Sequence, residues 1–101
     1  MSSEPTRIMT DALAGATMLE FGATWCGYCK AAQPIIASAL INYSDVEHIK
    51  IEDGKGKRPG RFYIVKLWPT LIFLKNGVEM ARVVRPTDCA EITKALKLLK
   101  S

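Results

Sequence analysis

Thr17-Met18-Leu19-Glu20-Phe21-Gly22-Ala23, followed by Trp25-Cys26-Gly27-Tyr28-Cys29-Lys30, is the stretch from which the remaining elements take their places. Residues 17–23 form an apolar run of strand length. Behind the cysteines, Ala31, Ala32, Ile35, Ile36, Ala39 and Leu40 recur at helical spacing. Two cysteines two residues apart, at the first turn of a helix, form a small device for making and breaking a disulfide. The thiolate is the reactive species. A helix N-terminus stabilises it through unpaired N–H groups and a partial positive charge, so a thiol that ordinarily titrates near pH ~8.5 becomes more acidic there.

Upstream, Ile8, Met9, Ala12 and Leu13 predict a short helix over 6–14, and Gly15 stands where a helix end favours left-handed backbone. Downstream, the long helix is expected from Cys26 to Tyr43, bent at Pro34, which removes one backbone hydrogen bond. Val46 to Ile51 alternates apolar and polar residues as a strand does, and places His48 at an edge or surface. A helical turn is expected around 61–66, with Tyr63, Ile64 and Val65 in the core; Met9, Met18 and Met80 read as gap fillers.

Thr70–Lys75 and Val78–Val84 read as strands joined by Asn76-Gly77, the residues that a type I′ hairpin turn wants because both central positions need positive φ. Asp88 with Glu91 fits a capping box for a last helix, whose apolar stripe is Ile92, Ala95, Leu96 and Leu99. Lys94, Lys97 and Lys100 suit its C-terminal half. The order α, β, α, β, short helix, β, β, α implies an α/β fold with a mixed sheet and helices on its faces.

Composition narrows the function. With 101 residues, 49% of them hydrophobic, the chain is expected to form a single domain over 1–101. No apolar run approaches the ~20 residues of a membrane span, and the N-terminus lacks a basic-then-apolar leader, so a cytoplasmic location is expected. Three cysteines exclude a fully paired disulfide framework; one C-x-x-C pair and a spare suit a reducing compartment. Much of the net charge of +4 lies in the second half, where Lys55, Lys57, Arg58 and Arg61 gather in a glycine-flanked loop. No aromatic ladder interleaves them, so a solvated surface loop is expected rather than a nucleic-acid site.

These landmarks resemble the thioredoxin family from about Leu19 to the C-terminus. Trp25-Cys26-Gly27-Tyr28-Cys29-Lys30 is similar to its active-site motif, Pro34 to its helix proline, Pro69-Thr70 to its cis-proline at the third strand, and Lys75-Asn76-Gly77 to its hairpin. The resemblance implies a thioredoxin-like fold, a central mixed four-stranded sheet flanked by helices, with the N-terminal edge strand short or absent. Three positions depart from the family. Tyr28 stands where thioredoxins have proline, Gly22 where they have a second aromatic, and Arg85 about where they have a glycine that lets substrate backbone approach.

Cys26, at the strand-to-helix junction, is the expected nucleophile, and Cys29, one turn further in, the buried resolving thiol. Half of a zinc site is the alternative. Zinc wants four ligands, and Cys89 and His48, the remaining candidates, lie far away in sequence, so redox use is favoured and no metal is expected. Cys89 itself reads as a small apolar residue in the last helix.

Glu20 alternates with Leu19 and Phe21 and points to the opposite, interior layer, where burial raises the pKa of an unpaired carboxylate. A solvent-reaching strand-edge glutamate is the plainer alternative. The resemblance gives Glu20 the part of the family's acid, exchanging protons with the resolving thiol, with Lys50 as its pairing partner. It also makes Pro69 cis, gives Trp25 and Trp68 as an apolar platform beside the sulfur, and completes the substrate-binding face with Gly27, Tyr28 and Thr70.

The function implied is reduction of disulfides in protein partners by dithiol exchange, by a monomer needing no cofactor beyond its Cys26–Cys29 pair and recharged by a reductase, with neither nucleic acid nor membrane as partner. A disulfide donor or isomerase in an exported compartment, and a non-catalytic interaction module on the same fold, are the alternatives.

Overall fold

The computed structural model describes residues 15–23, 26–52 and 64–100. The helix expected over 6–14, the basic loop, Met9, Trp25 and Tyr63 lie outside them. The elements are strand β1 (Ala16–Gly22), helix α1 (Gly27–Leu40), strand β2 (Glu47–Glu52), strand β3 (Thr70–Lys75), strand β4 (Val78–Val84) and helix α2 (Cys89–Lys100). Their sheet runs β2-β1-β3-β4. β1 pairs with β2 in parallel and with β3 antiparallel, and β3 pairs antiparallel with β4. The mixed four-stranded sheet flanked by helices is therefore present.

β1 and β3 are the inner strands, and this is why both read as apolar runs rather than as alternating ones. One face carries Met18, Leu71 and Phe73 into a cluster with Ala32, Ile36 and Ala39 of α1 and Ile92, Leu96 and Leu99 of α2. The opposite face gathers Leu19, Phe21, Ile51, Ile72 and Leu74, against which Ile49 and Val65 pack. Glu20 shares the face of Met18, beneath α1. That placement brings an acid under the helix carrying both cysteines.

The hairpin turn has positive φ at both central residues, 51° at Asn76 and 82° at Gly77. Gly15 is likewise left-handed at 77°, and the Asn76 side-chain oxygen accepts from its N–H at 2.8 Å, tying the start of β1 to the hairpin. α2 starts on half of the expected capping box. Asp88 Oδ1 accepts from the Glu91 N–H, and the Glu91 carboxylate takes its bonds from the Thr87 hydroxyl and N–H and, more weakly, from the Asp88 backbone.

Three expectations are corrected. α1 ends at Leu40, short of Tyr43. Ile64 is 69% exposed rather than in the core, because its backbone is left-handed (φ 56°) and turns the side chain outward. Met80 is exposed on the edge strand β4, where the register shift that pairs Phe73 with Ala81 and Leu74 with Glu79 leaves it unmatched.

Candidate active site

Cys26 is the N-cap of α1. Its backbone is extended (φ −80°, ψ 118°), and its sulfur accepts the Cys29 N–H at 3.2 Å. An N-cap side chain normally supplies an oxygen to the orphan N–H groups of the first turn; here a sulfur does so. No acidic residue stands in that turn to oppose a negative charge on it. Burial alone would make the Cys26 thiol less acidic. Hydrogen bonds from the Cys29 thiol and from the N–H groups of Cys29 and Tyr28, together with the charge of Arg85, outweigh it and bring the pKa below the ordinary thiol value.

Cys29 moves the other way. Burial, then its bond to Cys26 and the charges of Cys26 and Glu20, push its pKa up to about 11. Both cysteines are only 6% exposed, so accessible area does not distinguish them. Their electrostatics do: hydrogen bonds and the Arg85 charge make Cys26 more acidic than an ordinary thiol, while burial and nearby negative charge make Cys29 less so. Both are free thiols, as is Cys89.

Gly22, on the same face of β1 as Glu20, lies under the resolving thiol. A Cβ added there would stand 2.8 Å from Cys29 Sγ, closer than real contacts allow. A residue with a side chain there would require the Cys29 thiol to shift.

Glu20 is 5% exposed and fully engaged. His48 Nε2 meets Glu20 Oε1 at 2.7 Å, and Gln33 Nε2 donates to Glu20 Oε2 at 2.7 Å and to the Cys29 carbonyl at 3.0 Å. The expected rise in its pKa does not occur. Burial pushes the carboxyl up, but the bonds from His48 and Gln33, with the charges of His48 and Lys50, hold it below its ordinary value. The expected direct pairing with Lys50 is not formed. Lys50 is the register neighbour of Glu20, but its Nζ donates to Gln33 Oε1 at 3.1 Å, so the amide stands between them. Among the described residues His48 sits on the outermost strand on its side of the sheet, but it faces this acid and is half-buried.

The Trp68–Pro69 peptide bond is cis, and Pro69 is buried. Trp68 packs against Ala23, Cys26 and Cys29. Thr70 is 1% exposed, and its hydroxyl donates to the Leu67 carbonyl at 2.6 Å, so it holds the bend before β3. Gly27 and Tyr28 are exposed on the first turn of α1, and nothing crowds Gly27. Cys89 is half-buried, with its Sγ 3.6 Å from the Ile35 carbonyl. Among the described residues, no three His, Cys, Asp or Glu side chains gather as metal ligands.

The residues that sequence reasoning missed are Gln33 and the inward turn of His48. Same-face spacing of His48 and Lys50 on β2 was the available signal. Its use required knowing the register that sets them beside Met18 and Glu20.

Comparison with known proteins places this geometry. Residues 8–98 match the Thioredoxin family model. The fold is similar to that of thioredoxin 2 from Pseudomonas aeruginosa in its reduced form, with a TM-score of 0.86 and 50% identity, over 98% of this chain and 94% of that one. A thioredoxin of Chlamydia trachomatis is 32% identical over 82 residues, 81% of this chain and 80% of that protein. Rice thioredoxin H2-1 is 29% identical over 84 residues, 83% of this chain but 60% of that longer protein. Sequence and backbone agree along most of the chain, so it belongs to the thioredoxin family of thiol–disulfide oxidoreductases, whose redox-active dithiol is part of the polypeptide itself.

Proposed function

We propose that the chain reduces disulfides in polypeptide partners, with Cys26 as nucleophile and Cys29 as resolving thiol. The Cys26 thiolate attacks one sulfur of the partner disulfide. A Cys26–partner disulfide forms, and the other partner sulfur leaves as a thiolate that takes up a proton. Cys29 then loses its proton and attacks the Cys26 sulfur, expelling the second partner thiolate. The partner gains two electrons and two protons, and the chain is left with a Cys26–Cys29 disulfide. A reductase returns the two electrons.

The observation that carries this reading is the opposite displacement of the two thiols, Cys26 toward thiolate and Cys29 to about 11. One sulfur is ready to attack while the other stays protonated until needed. Glu20 is the proton acceptor for Cys29, ionised at neutral pH and joined to the Cys29 backbone through Gln33. Trp68 and Pro69, with Gly27 and Tyr28, form the face on which an extended partner segment lies, paired to the Trp68 backbone in the manner of an added strand. Thr70 supports that face from beneath. The chain acts as a monomeric single domain in the cytoplasm, on proteins rather than nucleic acid or membrane; among the described residues no helix is long and apolar enough to cross one.

Reduction of insulin disulfides with a small dithiol as electron source tests the proposal. Catalysed turnover is expected, and its complete loss in Cys26→Ser. Turnover that survives that substitution, or none in the unaltered chain, contradicts it.

A further inference from the structure

Arg85 has a left-handed backbone (φ 50°), a conformation in which a side chain other than glycine's is strained. Its N–H donates to the Pro69 carbonyl at 2.9 Å, which fixes the residue beside the bend before β3. The side chain then crosses the site. Nε donates to the Trp68 carbonyl at 2.9 Å, and the guanidinium carbon lies 4.0 Å from the centre of the Tyr28 ring. One residue thus links the end of β4, the segment before β3 and the first turn of α1, with Cys26 in the space between them. A strained backbone kept by a side chain with these contacts points to a use for the side chain.

What is left over on that side chain identifies the use. A guanidinium has five N–H donors in a plane, suited to a carboxylate held by two parallel bonds. Here one donor goes to Trp68 and the flat face goes to Tyr28. Among the described residues the ion pairs are His48–Glu20, Arg82–Glu79 and Lys100–Asp45, and none reaches Arg85. Among the described residues, a cation near enough for its charge to act on the Cys26 sulfur therefore has no carboxylate of its own. The chain as a whole is also positive, at +4.

The geometry points to Arg85 as a specificity-determining residue that, clasped between Tyr28 and the Trp68 carbonyl, pairs with an acidic side chain flanking the disulfide of the partner polypeptide. The inference rests on the proposed disulfide reduction and adds a substrate class to it. Tyr28 holds the guanidinium at the lip of the site, which gives that departure from the family motif a purpose as well.

Three peptides test it, each with the same disulfide and differing in the flanking residue, which is Glu, Gln or Lys. Single-turnover reduction is measured for the unaltered chain, Arg85→Gly and Arg85→Lys. Glycine tolerates φ near 50°, so Arg85→Gly relieves the backbone and keeps the fold. Loss of the Arg85 charge also makes the Cys26 thiol less acidic and slows all three peptides alike, so the ratio of rates is the readout. For the unaltered chain, Glu over Lys is expected at roughly three- to tenfold, the range of exposed charge pairs taken as attraction against repulsion. The ratio should shrink with added salt, fall to within about twofold in Arg85→Gly, and stay intermediate in Arg85→Lys. A ratio near one in the unaltered chain, or one that survives Arg85→Gly, overturns the inference. Failure to reduce even the Gln peptide would instead overturn the proposed disulfide reduction beneath it.

Discussion

Replacement of Cys29 by serine is expected to leave the chain covalently joined to its partner, with turnover down at least ~100-fold. The reason lies in the second step. Cys29 sits one helical turn from Cys26, its N–H on the Cys26 sulfur at 3.2 Å, so its attack on the mixed disulfide is intramolecular. Positioned intramolecular groups act at effective concentrations up to about 10⁵–10⁸ M, against which a millimolar external thiol competes poorly. The first step needs only the Cys26 thiolate. Cys29→Ser removes the thiol that helps stabilise it, but the N–H groups of residues 28 and 29 and the Arg85 charge remain. A species with the summed mass of chain and partner, cleaved by strong reductant, is the expected product. Rapid release of reduced partner from Cys29→Ser would mean that another group resolves the intermediate.

Glu20→Gln is expected to slow that release about 10- to 100-fold while leaving the initial attack by Cys26 nearly unchanged, since a positioned proton acceptor contributes on this scale. A second effect opposes it. The Glu20 charge helps keep Cys29 protonated, so removing it makes Cys29 easier to ionise. That charge is the smallest of the causes raising the Cys29 pKa, and burial is the largest, so loss of the acceptor dominates.

The same variant has a signature in stability. The folded-state pKa of Glu20 is depressed, so its contribution is full above the ordinary carboxylate value of 4.5 and is lost as pH falls through the lower folded value. The unaltered chain should therefore lose stability more steeply below pH 4.5 than Glu20→Gln does. At neutral pH the variant should be less stable by about 1–3 kcal/mol, the scale of hydrogen bonds to a charged group. Urea midpoints at neutral and acid pH read both effects. Equal slopes in the two proteins would show that Glu20 is not held ionised by its neighbours.

The strands were legible for identifiable reasons. β3 and β4 begin and end where the two strand-like runs and the Asn76-Gly77 turn placed them, because a turn needing two positive φ values admits few sequences. β1 was legible as a buried run, and alternation with Leu19 and Phe21, in a sheet expected to be covered on both faces, pointed Glu20 to the interior. The acid's electrostatics were not legible. Its pKa depends on His48, brought in by the parallel register of β1 with β2, and on Gln33, which descends from α1 between Glu20 and Lys50. No local pattern encodes a contact between residues 28 positions apart in sequence.

Gly22 and Arg85 stood out as departures from a family pattern, but their reasons are three-dimensional. One yields space to Cys29 Sγ, and the other bends its backbone to reach Trp68 and Tyr28. Sequence showed that these positions differ, and the structure shows what the differences touch.

The most direct test is the pH dependence of alkylation, resolved by mass among Cys26, Cys29 and Cys89 in the reduced chain. Cys26 is predicted to react first, with a midpoint below the ordinary thiol value of about 8.5, while Cys29 stays unreactive through neutral pH. A Cys26 midpoint at or above that value, or modification of Cys29 ahead of it, would contradict a thiolate held at the start of α1.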